Sequence, residues 1–258
     1  MARRIVITSG KGGVGKTTIA GLLGTKLAER GERVVLLDLD FGLNNLDVTL
    51  GVESKVVYNI VDVIEGRCRA KQALIECEQK NLFVVPSANY FQTDVSGQNV
   101  RLLIEGLSSS FDFVLIDCPA GIDLGFQRAV SAANEAIVAV TPTIQSVRDA
   151  DKVLTILKNY SLDSVSAVIN RSRSDLQKRK QLLSSSDVEN VLKIPVVSSI
   201  PETDDVLLSK NCKLPPFSKA QSAINALSQA VLKNADNARD FTKVYGGLFQ
   251  KGEKRRKI

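Results

Sequence analysis

Histidine is absent from all 258 residues. No imidazole can then act as base, acid or metal ligand, so any hydrolytic chemistry must use carboxylates, lysines, backbone amides and Mg²⁺. Cysteine is sparse: Cys68, Cys77, Cys118 and Cys212 are widely spaced, with no C-x-x-C pair. That argues against a zinc or iron–sulfur centre within one chain and fits reduced thiols. No apolar run approaches the roughly 18 residues that would span a bilayer. The opening Met-Ala-Arg-Arg passes directly into a strand pattern, which does not support a secretory signal. The expected location is the cytoplasm.

The sequence also lacks a strongly charged body. Its formal net charge is +6, but the last eight residues hold Lys251, Lys254, Arg255, Arg256 and Lys257 against Glu253, a net +4. Only +2 of the total is left for everything upstream, so the body is not a nucleic-acid surface by charge alone. What remains is an apolar fraction of 44%, enough for the core of one α/β domain. Neither an internal repeat nor a low-complexity linker divides it.

The most informative stretch runs from Ser9 to Thr18, Ser-Gly-Lys-Gly-Gly-Val-Gly-Lys-Thr-Thr. It follows the apolar run Ile5-Val6-Ile7 and precedes a helical spacing of Ile19, Leu22, Leu23 and Leu27. Gly10 and Gly15 stand at the spacing G-x-x-x-x-G-K-[ST] of a phosphate-binding loop. Residues Gly10, Lys11, Gly12, Gly13, Val14, Gly15, Lys16, Thr17 and Thr18 form the expected cradle, where glycines let backbone N–H groups turn toward oxyanions. A helix beginning near Lys16 adds the positive end of its dipole. Lys16 is expected on the β- and γ-phosphates and the Thr17 hydroxyl on Mg²⁺.

Apolar runs at 33–37, 82–85, 113–116, 137–140, 165–169 and 196–200 read as buried parallel strands. Helical patterns at 59–64, 100–107, 125–133, 147–159 and 218–234 alternate with them. This predicts an α/β fold: a single doubly wound, mostly parallel sheet with helices on both faces and ligands at the carboxyl ends of the strands. Residues 172–186 read as a surface loop or exposed helix. Asp38 and Asp40 follow the second strand, and Asp117 ends the run Phe113–Ile116. Carboxylates at strand ends beside a phosphate loop are placed to hold Mg²⁺ through water, which selects Asp40 and Asp117 as metal positions together with Thr17. Pro119, Ala120 and Gly121 follow Asp117 where many ATPases carry a water-orienting glutamate. Asp40 is the candidate for that task, and hydrolysis is expected to be slow.

The string Lys-Gly-Gly-Val-Gly-Lys-Thr-Thr from Lys11 resembles the deviant phosphate loop of the ParA/MinD family of ATPases. Residues 38–47, 58–66, 117–122 with Gly125 and Phe126, and 146–151 resemble the division-site, MinD-type branch of that family. The resemblance is continuous through about two-thirds of the chain and implies a P-loop ATPase with ATP and Mg²⁺ as ligands. It implies that Lys11 reaches a partner subunit's nucleotide in an ATP-dependent homodimer, and that Lys11, Lys16 and Asp40 are the catalytic residues. Asp40 with Asn45 would form a first switch, and 117–125 a second. Asn170, Pro201 and Glu202 resemble the adenine-binding positions. Two places depart from the family pattern, Pro142-Thr143 and Asn211-Cys212-Lys213-Leu214-Pro215, and neither touches the phosphate chemistry.

The expected organisation is an ATPase domain over 1–237 and a basic amphipathic tail over 238–258. In the tail, Phe241, Val244, Tyr245, Leu248 and Phe249 recur at the spacing of one helical stripe, next to the basic cluster. Gly246 and Gly247 interrupt it, each costing about 1 kcal/mol of helix stability. The resemblance implies a reversible, peripheral association of this tail with the inner, anionic face of the cell membrane. It also implies a MinC-like division inhibitor and a MinE-like or other topological factor as partners. Three alternatives stay open at this stage: an FlhG-type flagellar regulator, a ParA-type DNA-partitioning ATPase whose basic tail meets nucleic acid, and a scaffold that binds ATP without turning it over.

Overall fold

The computed structural model describes residues 2–42, 45–88 and 95–233. In chain order the elements are β1 (Arg3–Thr8), α1 (Lys16–Glu29), β2 (Val34–Asp38), α2 (Leu46–Leu50), α3 (Ile60–Ile64), α4 (Ala70–Ala73), β3 (Ile75–Glu76), β4 (Leu82–Val85), α5 (Gly97–Leu107) and β5 (Phe113–Asp117). The second half continues with α6 (Leu124–Ser131), β6 (Glu135–Val140), α7 (Ile144–Leu157), β7 (Ser164–Ser172), α8 (Ser174–Lys178), α9 (Ser185–Leu192), β8 (Val196–Pro201), α10 (Asp204–Leu207) and α11 (Lys219–Leu232).

The eight strands form one sheet in the order β3-β4-β2-β5-β1-β6-β7-β8. Every pairing is parallel except β3 with β4. Strand β1 lies in the middle, and chain order diverges on either side of it, so a crevice opens above its carboxyl end. Side chains alternate across the sheet and feed two separate cores. Val6, Leu37 and Ile116 lie in one; Ile7, Leu36 and Leu115 lie in the other. Helices cover both, which is why the central strands read as unbroken apolar runs.

The doubly wound fold expected from the alternation is the fold observed, and every strand but β3 lies within a few residues of its sequence signal. The helix boundaries shift for physical reasons. Asn59 caps α3 by accepting the N–H groups of Val61 and Asp62, and Thr143 and Ser218 cap α7 and α11 in the same way. Helix α8 is exposed, in the stretch read as surface loop or helix. The two-residue antiparallel edge β3 and the short helices α2, α4 and α10 carry too few residues for a periodic signal. Among the described residues all four cysteines are free thiols, and no helix is long and apolar enough to cross a membrane. The tail over 238–258, its boundary with 1–237, and the last residue of the helix expected at 218–234 lie outside the described residues.

Helix α11 runs back along β8, with Ser198 donating its hydroxyl to the Ala223 carbonyl. It ends at the foot of β1, where the Arg3 guanidinium donates to the Val231 carbonyl. The same arginine pairs with Glu135 at the start of β6. The end of α11 and the phosphate loop therefore lie at opposite ends of β1.

Candidate functional site

The loop between β1 and α1 has the conformation its glycines allow. Gly13 and Gly15 have φ of 75° and 99°, in the left-handed region. Gly15 is the N-cap of α1 and brings no side chain to the helix's first N–H groups, and no acidic residue occupies the first turn. An anion fits that helix end by charge and by donor geometry. The Ser9 hydroxyl donates to the Lys11 carbonyl at 2.8 Å and braces the turn. Lys11, Gly12 and Gly13 are exposed, Val14 is buried, and Lys16 is buried although charged. Thr17 and Thr18 are half-buried at the start of α1. Gly10 permits close packing: a Cβ there would lie 2.4 Å from the Asp149 backbone, so α7 rests directly on the loop. This explains why residues 146–151 carry a signal although they are distant in sequence.

The carboxylates gather at the same edge. Asp38 and Asp117 end neighbouring parallel strands, and both are buried. Asp38 accepts backbone N–H groups from Asp40 at 2.9 Å, Leu46 at 3.2 Å and Asn45 at 3.4 Å. It is the staple of the segment expected as the first switch, a task that sequence reading did not assign to it. Of that segment, residues 43–44 lie outside the described residues. The Thr17 hydroxyl lowers the Asp117 carboxyl, which lies within the fields of Lys16, Asp38 and Asp40. Burial pushes the Asp38 and Asp117 carboxyls up from their ordinary value, and for Asp117 the Asp38 charge adds to the rise. Asp40, half-buried, is raised by desolvation, lowered by Lys16 and raised by Asp123.

Asp123 is a second residue absent from the sequence reading. It caps α6, accepting the N–H of Gly125 at 3.1 Å and of Phe126 at 3.4 Å, and its charge faces Asp40. An aspartate immediately before a helical run is a capping signal that could have found it. Ala120 lies beside Gly12, 3.9 Å from the position a Cβ would take there. The second expected switch, residues 117–125, is therefore in contact with the phosphate loop.

The donor set fits Mg²⁺ held mainly by water and phosphate. Asp117 Oδ1 is buried without a hydrogen-bond partner, next to the Thr17 hydroxyl. Among the described residues no three acidic or thiol side chains form a closed ligand cluster. Mg²⁺ takes few direct protein ligands and retains waters, so an open site of this composition suits it.

The positions expected at the base lie at the carboxyl ends of β7 and β8. Asn170 is 5% exposed. Its Nδ2 donates to the Val14 carbonyl at 2.7 Å, and its Oδ1 accepts from the Arg171 N–H at 3.0 Å. Pro201 ends β8, and Glu202 donates its N–H to the Ser172 carbonyl at 3.0 Å, with its carboxylate 3.9 Å from Arg173 Nη1. Glu202 is exposed at the rim.

Comparison with known proteins places this geometry in context. An AAA-domain family matches residues 2–169. The septum site-determining protein MinD of Synechocystis sp. is 41% identical over 213 residues, which cover 82% of this chain and 80% of that protein. The MinD subunit of a MinC:MinD cell division complex from Aquifex aeolicus superposes with a TM-score of 0.83 at 36% identity, covering 90% of this chain and 96% of that one. The septum site-determining MinD of Pyrococcus horikoshii, solved with Mg-ADP, gives a TM-score of 0.81 at 29% identity over 93% of this chain and all of the other.

Proposed function

This chain belongs to the MinD family of ATPases, and from that premise we propose that it is a Mg²⁺-dependent ATP switch whose dimerisation controls where it sits. It is an ATPase and a spatial regulator of cell division. The observation that carries the switch reading is the convergence of Lys16, Thr17, Asp40 and Asp117 on one edge, under a loop whose second lysine, Lys11, is exposed.

The chemistry follows from this arrangement. Backbone N–H groups of residues 10–18 bind the phosphates, and Lys16 neutralises them in a buried setting where its charge is poorly screened. Thr17 and Asp117, with Asp40 beside them, would hold Mg²⁺, which neutralises charge on the phosphates. Asp40 orients the attacking water, in place of the glutamate that does not follow Asp117. Lys11 extends to the nucleotide of a second copy, so that chemistry is completed only in the pair. Slow turnover suits a timer.

Residues 238–258 supply the membrane arm of the proposal. Each basic residue near an anionic leaflet contributes about 1 kcal/mol, and the apolar stripe adds to this. One such segment binds weakly; two on one dimer raise avidity by about 10² to 10⁴. A MinC-like division inhibitor is the proposed cargo, consistent with the Aquifex aeolicus complex. The test is gel filtration of Asp40→Ala with Mg·ATP. Retained ATP binding, abolished hydrolysis and a stable dimer are expected; a chain that stays monomeric at saturation overturns the proposal.

A further inference from the structure

Three independent features converge on Asn170. First, β7 departs from its register with β8 between Ile169 and Ser172, and Arg171 adopts φ of 54°, a left-handed value for a residue with a side chain. A bulge of this kind re-aims a side chain at the cost of ladder pairing. Second, the side chain it re-aims is buried and bonded across the molecule to Val14, 156 residues earlier. Third, Gly15 has no room for a side chain: a Cβ there would lie 2.4 Å from Asn170 Nδ2. Glycine at position 15 thus answers to this contact as well as to its φ.

Across a planar trans peptide the C=O and N–H point in opposite directions. No peptide bond among the described residues is cis. Fixing the Val14 carbonyl on Asn170 therefore turns the Gly15 N–H away from Asn170, toward the open side of the loop where α1 begins. If that peptide rotated, a carbonyl dipole would replace a donor at the helix's positive end, and an anion there would be repelled. The other end of the Asn170 amide is held by the Arg171 N–H, so the donor cannot swing freely.

Resting on the nucleotide-binding reading, we propose that Asn170 is a positioning residue for the phosphate loop: it locks the Val14–Gly15 peptide in its anion-binding orientation, whatever else it contributes at the base. The two tasks separate because a ligand without a base senses only one of them. Mg·tripolyphosphate needs the loop and nothing at the rim.

The experiment measures binding of Mg·ATP and Mg·tripolyphosphate to the full chain and to Asn170→Ala, with thermal melting to confirm folding. Loss of one buried hydrogen bond predicts about tenfold weaker binding of both ligands, by similar factors. For hydrolysis, KM for Mg·ATP rises more than kcat falls, because the loop contact is made before the transition state. Asn170→Asp covers the case in which the alanine variant does not fold: it has the same shape and accepts from Arg171, but when ionised cannot donate to Val14, and parallel losses are expected again. Weakened ATP with unchanged tripolyphosphate binding overturns the proposal, as does unchanged binding of both. A wild-type chain that binds neither ligand overturns the nucleotide-binding reading itself.

Discussion

Asp38 and Asp117 face each other across adjacent parallel strands, two buried carboxyls in one register pair. Desolvation favours the protonated form of each, and the Asp38 charge adds to the rise at Asp117. Yet the surroundings differ: three backbone N–H groups hold Asp38, whereas Asp117 keeps one oxygen buried without a partner. One carboxyl shapes the loop; the other is the proposed seat for a cation.

The pair makes the nucleotide-free protein sensitive to base. Asp38 is pushed up to about 6 and Asp117 to about 8, both from 3.8. A folded-state value above the unfolded one means that the folded state holds the proton more tightly. The stabilisation is full below 3.8 and is lost as pH rises through these folded values. Asp38 contributes to the fall only up to about 6, so between about 6 and about 8 melting without ligand is expected to fall with pH through Asp117 alone, by up to about 1.4 kcal/mol per pH unit. Asp117→Asn should flatten that slope, and Mg·ADP should restore stability most at the alkaline end. Parallel pH profiles for wild type and Asp117→Asn would contradict this.

The two lysines of the loop should separate cleanly in binding assays. Lys16 is buried among carboxylates, whereas Lys11 is exposed. Lys16→Ala is expected to abolish ATP binding and, with it, dimerisation. Lys11→Ala should leave the monomer's nucleotide affinity within a factor of about two while hydrolysis drops at least tenfold, the size of effect usual for one lost charge-stabilising contact. Normal turnover by Lys11→Ala would exclude a role across the dimer.

Gly10 tests the packing of α7 on the loop. Its φ lies outside the left-handed region, so alanine is strained by space alone. A methyl group 2.4 Å from the Asp149 backbone must push loop and helix apart. Overpacking of this kind costs about 1–3 kcal/mol. Gly10→Ala should lower the melting temperature and weaken ATP binding, whereas Gly106→Ala, whose Cβ would meet nothing within 4 Å, should do neither.

Deleting residues 238–258 should leave ATP binding and dimerisation intact and abolish co-sedimentation with anionic liposomes. In the full chain, co-sedimentation should be stronger with ATP than with ADP. Equal lipid binding in the two nucleotide states would break the link between pairing and membrane residence.

The sheet was legible because its central strands are continuous apolar runs, and the phosphate loop because its chemistry is compressed into ten neighbouring residues. Asp38 and Asp123 were harder to assign. A strand-end aspartate and a helix-capping aspartate have ordinary local explanations, and only the fold brings one to the loop of Asn45 and Leu46 and the other to Asp40. Asn170 shows the same limit more sharply. At a strand end it reads as a turn residue, and only the family resemblance points it to the base, while its contact with Val14 depends on a bulge between β7 and β8 that no local periodicity encodes. The edge pairing of β3 is too short to leave a pattern at all.

The clasp between Arg3 and Val231 fixes the end of α11 at the floor of the sheet, with the full height of the strands between that point and the phosphate loop. A ligand in the crevice cannot touch the last turn of α11 directly. Under the proposed function, the pairing of two copies would have to carry the effect of bound nucleotide across that height.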